Sequence, residues 1–294
     1  MTGKADIAAI ERALLGYLDK AGAPEALARA MEYSLMAGGK RLRPRLCMES
    51  CRLHGGDERA AMPIACALEM IHTYSLIHDD LPCMDDDDMR RGKPSCHKAF
   101  GEAGAVLAGD GLLTYAFEVM LGEGPAWAGI APRYYEAAGA VAKGAGVSGM
   151  VAGQTLDLQF TDSFAQKGDL SALKTIHAKK TGEMITASVV AGALVAGAGE
   201  AELDRVREFG AQYGLLFQIT DDILDATGSN DKMGKTLGKD AAEGKLTYVT
   251  LLGLEEAQNL AREAAQSALA AFAPYGERAA WFKRLVRQTL ERSN

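Results

Sequence analysis

The sequence has little of what marks several other classes of protein. Its 294 residues include five cysteines, none in a CxxC pair, which excludes a disulfide scaffold and favours a cytoplasmic location. Eight prolines and 33 glycines are too few for a collagen-like or low-complexity chain. Cations are fewer than acids, and the net charge of −7 argues against a general nucleic-acid-binding protein, which would be basic.

Long hydrophobic runs are also missing. The longest weakly polar run, 184–199, has 16 residues, whereas a membrane-spanning helix needs about 20. We therefore expect this run to be a buried core helix, and we expect no membrane span. The first residues are charged and amphipathic, so we expect no targeting segment.

Strand-like alternation is nearly absent, while apolar residues recur with the period of a helix along most of the chain. Glycine and proline clusters, including one at 122–132, mark the predicted breaks between helices. No linker or fixed-period repeat is visible. The sequence thus predicts one all-α domain, 1–294, of about ten helices, and its many internal Gly and Ala residues indicate close helix packing.

A first acidic cluster, 78–88, follows a predicted apolar helix. Pro82 cannot continue that helix, because its ring would clash with a carbonyl one turn back. Asp79 and Asp80 are therefore predicted on the last helical turn, with Asp85 on the chain that leaves it.

A second acidic cluster, 221–225, follows another predicted helix. Asp221 and Asp225 are four residues apart, so they share one face of it. Gly228 then follows the predicted helix end.

Both clusters lie at the negative end of a helix dipole, where carboxylates are disfavoured. A bound divalent cation would compensate, and ligands that are only oxygens favour Mg²⁺ or Mn²⁺ over Zn²⁺. An EF-hand is excluded, because Arg90 stands where that loop needs Glu. The alternative, two solvated acidic loops, explains less well why each cluster ends an apolar helix.

Cations cluster although the chain is acidic. Together with carboxylates that need metals, they predict a polyphosphorylated substrate, since Arg and Lys both bind phosphate. A P-loop at 228–236 is rejected, because its spacing is off by one and a helix precedes it. The clustered cations are Lys40, Arg41, Arg43, Arg45, Arg90, Arg91, Lys179, Lys180, Lys235 and Lys245.

These motifs resemble those of the trans-prenyltransferases, the isoprenyl diphosphate synthases, and most of all bacterial farnesyl diphosphate synthases. The stretch 79–85 (DDLPCMD) resembles the family's first aspartate-rich motif with two extra residues, and 221–225 (DDILD) resembles the second. The remaining signatures are matched by 38–44, 180–182 and 217–218. The last forty residues carry no recognisable motif.

The resemblance implies an isoprenoid synthase fold, a helical bundle around a central active-site cavity. It implies Mg²⁺-dependent head-to-tail condensation of isopentenyl diphosphate with dimethylallyl and geranyl diphosphate, giving farnesyl diphosphate, in a homodimer. No protein nucleophile is required. Three Mg²⁺ ions, or possible Mn²⁺ substitutes, are expected.

Residue roles also follow from the resemblance. Three carboxylates would bind the metals and two would support them: Asp79, Asp85 and Asp221, with Asp80 and Asp225. Arg90, Lys180 and Lys235 would bind the allylic diphosphate, and Lys40, Arg43, His72 and Arg91 would bind isopentenyl diphosphate. Gly39 and Lys245 are also expected to contact substrate. Thr181 and Gln218 would face the carbocation. His72, two turns before Asp79, is otherwise an ordinary core histidine.

Product length is predicted from one aromatic residue. Tyr74 lies five residues before Asp79, about 7.5 Å along the predicted helix, and Ser75 beside it leaves some width. In the resembled family, an aromatic residue at this position accompanies a C15 product. The alternative is a pocket closed elsewhere, for instance by Met70, Ile71 or Met120.

Three competing functions remain. A terpene cyclase would have little use for the cations at 38–43, and a non-catalytic subunit of a heteromeric synthase need not keep its aspartates. A geranylgeranyl diphosphate synthase would differ only in product length.

A metal site at Cys47, Cys51 and His54 is less favoured than core packing at helical spacing.

Overall fold

Helices form nearly all of the regular structure in the described ranges. The computed structural model describes residues 3–127, 129–162, 169–227 and 246–292. The helices are α1 (Gly3–Leu18), α2 (Glu25–Leu35), α3 (Leu42–Leu53), α4 (Glu58–Asp79), α5 (Cys96–Trp127), α6 (Tyr134–Ala145), α7 (Met150–Asp162), α8 (Leu170–His177), α9 (Glu183–Val195), α10 (Glu200–Thr227), α11 (Tyr248–Leu252), α12 (Leu254–Ala271) and α13 (Ala280–Glu291). A π-helical turn, Ala178–Gly182, joins α8 to α9, and a 3₁₀ turn, Ala273–Ala279, joins α12 to α13.

The predicted all-α class is confirmed, although these ranges hold thirteen α-helices where about ten were expected. The only β-strands in the described ranges form a short antiparallel hairpin, β1 (Met89–Arg90) with β2 (Lys93–Pro94). Strands of two residues leave no alternation in a sequence, so this hairpin could not be predicted.

The predicted break at 122–132 begins later than expected. Helix α5 continues through Pro125 to Trp127, and it bends instead at Gly101. The φ of Gly101 is 77°, a left-handed value that glycine adopts without strain. Pro125 has no backbone N–H, so the last turn of α5 forms without one of its usual hydrogen bonds.

Helix α9 lies at the centre of the molecule, which confirms the predicted core helix. All of its residues from Met184 to Val195 are buried except Thr186. It packs so closely on α3 that a Cβ on Gly192 would lie 2.0 Å from the Cys47 carbonyl oxygen. The predicted close packing through small residues is therefore confirmed at this contact.

The cysteines of α3 are core residues. Cys47 and Cys51 are buried, and His54 binds the Ser50 carbonyl oxygen at 2.8 Å and the Tyr275 hydroxyl at 2.9 Å. Burial raises the pKa of the Cys51 thiol to about 12. The preference for packing over a metal site is thus confirmed.

Two described helices, α4 and α5, are long and apolar enough to cross a membrane by composition alone. The apolar window of α4 is 78% buried within the protein, as expected of a core helix. That of α5 is only 39% buried, so α5 presents an apolar face outward. This was not foreseen from the sequence, where the search was for uninterrupted apolar runs.

The first acidic cluster lies at a helix C-terminus, as predicted: α4 ends at Asp79 with Asp80 as its C-cap. The second lies in the last turns of the described part of α10, Glu200–Thr227, and its predicted helix end at Gly228 falls outside the described residues. Beyond α4, the chain turns back on itself: the Asp85 amide donates to the Asp79 carbonyl at 2.8 Å. This turn leads directly into the β1–β2 hairpin.

Candidate active site

Asp79 holds a carboxylate in an unfavourable position. Burial raises its pKa to about 6; nearby Lys180 opposes this shift, while Asp85 adds to it. The tight turn brings Asp85 back beside the helix end. Two carboxylates are therefore held close together, in an arrangement that a divalent cation would stabilise.

The carboxylate of Asp80 forms an ion pair with Arg90. It is only 2% exposed, and Arg90 Nε donates to its two carboxylate oxygens at 2.9 and 3.2 Å. Arg90 also contacts Asp87 at 3.2 Å. Asp80 thus positions Arg90, one of the predicted diphosphate ligands, while its own predicted part in metal binding stays a prediction.

A cationic pocket surrounds His72. Burial lowers the pKa of His72 well below its usual range, and the charges of Arg43, Arg91, Arg90 and Arg41 lower it further. The imidazole is therefore neutral at pH 7, among cations drawn from two different segments. Such a pocket attracts an anion.

The glycine pair before α3 makes room for one of these cations. The Arg91 guanidinium donates a hydrogen bond to the Gly38 carbonyl oxygen. A Cβ added to Gly39 would lie 3.0 Å from that guanidinium. Gly39 also has a φ of 123°, which other residues rarely adopt. Its predicted contact with substrate remains a prediction, but its absent side chain is explained by Arg91.

Arg41, from the same basic run, has a different task. It is fully buried, and it binds Glu69 at 2.8 Å and Glu11 at 3.2 Å. A buried charge that is paired in this way ties the basic loop to α4 and α1. The sequence did not distinguish it from its neighbours, because the partners lie 28 and 30 residues away.

The second acidic cluster meets the chain's last helix. Arg292 Nη2 lies 3.5 Å from Asp221 Oδ1. Burial and the charge of Arg292 lower the pKa of Lys40, while Asp221 raises it. Lys40, Asp221 and Arg292 therefore share one neighbourhood, and Arg292 is a residue that the motif search missed.

The π-helical turn carries Lys180 and Thr181. Lys180 Nζ donates to Asp157 Oδ2 at 2.6 Å, and the Thr181 hydroxyl donates to Gln218 Oε1 at 3.0 Å. Gln218 lies one turn before Asp221 on α10. Since Lys180 is also close to Asp79, this turn lies between the two acidic helix ends. Single π turns inside helices are common at functional sites.

Asp157 is a second residue missed from the sequence, where nothing marks it on α7. The backbone at Gly153, one turn earlier, explains the contact: a Cβ there would lie 2.1 Å from the Lys180 amide nitrogen. Asp225 lies half-buried one turn beyond Asp221. Lys235 and Lys245 fall outside the described residues.

Comparison with known proteins agrees with this arrangement. The Polyprenyl synthetase family model matches residues 24–277. The chain belongs to the polyprenyl synthetase family. It is 50% identical over 240 residues to a protein of Arabidopsis thaliana named heterodimeric geranylgeranyl pyrophosphate synthase large subunit 1, covering 82% of this chain and 65% of that protein.

Bacterial relatives are similar as well. A farnesyl diphosphate synthase of Geobacillus stearothermophilus is 49% identical over 252 residues, covering 85% of this chain and 83% of the relative. A solved FPP/GFPP synthase of Zymomonas mobilis superposes with a TM-score of 0.83 at 36% identity, covering 96% and 94% of the two chains.

The family is Mg²⁺-dependent, and the donor set of this chain fits that ion. The donor atoms are the carboxylate oxygens of Asp79, Asp85 and Asp221. Burial and the neighbouring Asp85 raise the pKa of Asp79. The nearby lysines and arginines suit the phosphates that usually complete a Mg²⁺ shell.

Tyr74 lies on α4, five residues before Asp79 of the first acidic cluster. It is 7% exposed, and its ring meets the His78 ring edge-on, with the centroids 5.7 Å apart. Burial and the charge of Asp79 raise the pKa of its hydroxyl. The neighbouring Ser75 hydroxyl donates to the His72 carbonyl at 2.9 Å.

Proposed function

We propose that this polyprenyl synthetase is a prenyltransferase that condenses isopentenyl diphosphate with dimethylallyl and then geranyl diphosphate, releasing farnesyl diphosphate. The observation that carries the proposal is the pairing of two acidic helix ends with a pocket of arginines around a neutral histidine. The acids suit metal-bound diphosphate, and the arginines suit a second diphosphate. A reaction that joins two diphosphate substrates needs both.

The chemistry asks for no protein nucleophile. The allylic C–O bond breaks, diphosphate leaves with the electron pair, and the isopentenyl double bond attacks the allylic carbon. A proton then leaves the new cation, and the released diphosphate is its acceptor. Magnesium, when bound, supplies positive charge to the leaving group.

The side chains of the protein bind and orient the two substrates. Arg90, held by Asp80, and Lys180, held by Asp157, bind the allylic diphosphate. Lys40, Arg43, His72 and Arg91 bind isopentenyl diphosphate. The Thr181 hydroxyl donates a hydrogen bond to Gln218 Oε1, so the oxygen lone pairs of Thr181 remain to face the carbocation. This positioning brings the two substrates into line.

The test uses the purified full-length chain with Mg²⁺, isopentenyl diphosphate and dimethylallyl diphosphate. We expect C15 product by chromatography, and none after chelation of Mg²⁺. Arg43→Ala should raise KM mainly for isopentenyl diphosphate. A wild-type chain without condensing activity would contradict the proposal and favour the non-catalytic subunit; a cyclised product would favour a terpene cyclase.

Product length is tested separately. Tyr74, buried below Asp79, supports C15 as a floor to the growing chain. Geranylgeranyl diphosphate is the second candidate, because several relatives carry that name, among them a Capsicum annuum protein 50% identical over 241 residues, of whose length the chain spans 64%. Tyr74→Ala should lengthen the product to C20 or beyond, with Tyr74→Phe as the matched control. Native C20 product would establish the second candidate.

We further propose a homodimer that covers the outward face of α5. Leu107 and Leu121, 59% and 56% exposed, lie nearly four turns apart on that helix. Light scattering should give a dimer for the native chain and a monomer for Leu107→Asp/Leu121→Asp. Leu254→Asp, at an exposed leucine elsewhere, should stay dimeric. An unchanged mass for the double variant would overturn this interface.

A cytoplasmic location is likewise a proposal. It is supported by five free cysteines, which suit a reducing compartment. Fractionation of the source cells with an antibody to this chain tests it; recovery from an organelle would contradict it.

A further inference from the structure

The base of the β1–β2 hairpin holds a group of side chains that the proposed reaction does not use. One atom each of Asp86, Asp88 and His97 lie within 4.8 Å of one another. Asp86 and Asp88 precede β1, and His97 follows β2 at the start of α5. The group therefore brings together the two ends of the hairpin.

His97 is the member that points to a ligand. It is 6% exposed, and its Nδ1 lies 3.0 Å from the Ser95 hydroxyl. Its Nε2 is buried without a hydrogen-bond partner. A buried ring nitrogen is seldom left unpaired, and a metal-bound histidine typically directs its other ring nitrogen to a hydroxyl, carbonyl or carboxylate, as Nδ1 does here.

We propose that Asp86, Asp88 and His97 bind a divalent transition-metal ion. In this site Nδ1–H donates to Ser95, and the Nε2 lone pair and two carboxylate oxygens are the protein ligands. One imidazole with two carboxylates suits Zn²⁺, Mn²⁺ or Co²⁺ better than Mg²⁺, which prefers oxygens alone. The site is therefore chemically distinct from the carboxylates of Asp79, Asp85 and Asp221.

Lys98 Nζ contacts Asp88 Oδ1 at 2.8 Å and is the competing cation at this position. The pair is exposed, so Lys98 can turn toward solvent when a dication binds. Asp88 keeps its place in either state, because its carbonyl accepts from the Ser95 amide at 2.8 Å. Replacing Lys98 should therefore strengthen metal binding.

A metal ion bound at this site would hold the two ends of the hairpin together. Arg90 and Arg91 lie between Asp88 and His97, so a metal that joins these two residues closes the loop that presents both arginines. The site would stabilise the hairpin without touching substrate.

Cobalt titration of the metal-stripped, full-length Asp79→Ala/Asp221→Ala chain tests the site, because this background weakens binding at the other carboxylates. We expect one Co²⁺ to bind per chain, by calorimetry and visible absorption. Asp86→Asn, an exposed change, should weaken binding at least tenfold, as should His97→Gln. Glu102→Gln, at a nearby exposed acid, should leave binding unchanged, and Lys98→Gln should tighten it.

Hydrogen exchange gives a second measurement. Zn²⁺ should slow exchange of the hairpin amides in the native chain and leave it unchanged in Asp86→Asn. Co²⁺ affinity that is equal in the Asp86→Asn, Asp88→Asn and background chains would overturn the proposal. So would the absence of any Co²⁺ binding in the Asp79→Ala/Asp221→Ala background when the native chain binds it.

Discussion

The two acidic helix ends use adjacent aspartates in the same way. At the end of α4, Asp80 is buried against Arg90, while Asp79 remains beside Asp85 and Lys180. On α10, Asp222 accepts a hydrogen bond from the Tyr248 amide at 2.7 Å, while Asp221 lies beside Lys40 and Arg292. The second aspartate of each pair is thus engaged with the protein framework.

The ends differ in what neutralises the first aspartate. Partial burial and the neighbouring Asp85 raise the pKa of Asp79, although Lys180 opposes the shift. Asp221 contacts the C-terminal Arg292, a partner that can leave because both side chains are partly exposed. A bound metal ion would therefore stabilise the carboxylate of Asp79, whereas at Asp221 a metal ion would displace Arg292. Four predictions test this contrast.

The largest effect is expected at Asp79. Asp79→Asn should lower kcat about a thousandfold or more, because each ~1.36 kcal/mol of lost charge stabilisation costs a factor of ten. The free energy of unfolding of the metal-free chain should not fall, since burial already disfavours this carboxylate. Steady-state kinetics and urea unfolding measure the two quantities. A variant that turns over normally would remove Asp79 from the metal site.

Asp80 should behave differently from its neighbour. Asp80→Ala should reduce kcat/KM for the allylic diphosphate at least about tenfold, because Arg90 loses its main anchor. It should also lower the free energy of unfolding by about 3–5 kcal/mol, the usual cost of breaking a buried pair. Asp87→Asn, which removes one 3.2 Å contact to the same arginine, is the matched control and should have less effect on both.

Arg292 should have a smaller and opposite effect. Arg292→Ala removes a cation that competes for Asp221, so half-maximal activity should need less Mg²⁺. Exposed pairs are worth about 0.2–1 kcal/mol, which limits the decrease to about fivefold. Activity across a Mg²⁺ series measures it, with Arg287→Ala, an exposed arginine on α13, as control. A rise in the Mg²⁺ requirement would mean that Arg292 assists binding.

The smallest effect concerns Asp222 and the start of α11. Asp222→Ala removes the acceptor for the Tyr248 amide and should lower the free energy of unfolding by about 1 kcal/mol. Asp222→Asn keeps an acceptor oxygen and should unfold like the native chain. Equal loss in both variants would show that charge, not the hydrogen bond, stabilises this junction.

Much of this site was predictable because its causes are local. Pro82 must end α4 near Asp79, and a four-residue spacing must place Asp221 and Asp225 on one helix face. The cationic runs predicted a phosphate-rich substrate from residue type alone. By contrast, the two-residue strands of the hairpin depend on pairing within one turn, and α5 keeps its helix through Pro125 against local propensity.

The all-α class, the end of α4 at the first acidic cluster, and the members of each charged cluster can be read from the sequence, since periodicity, proline geometry and charge act within a few residues of the chain. The partner of each charge depends on the packing of the helices: Asp80 pairs with Arg90, Lys180 with Asp157, and Asp221 with Arg292. A hydrogen bond or ion pair requires atoms within a few ångströms. For residues as far apart in the chain as Asp221 and Arg292, helix packing alone sets that distance.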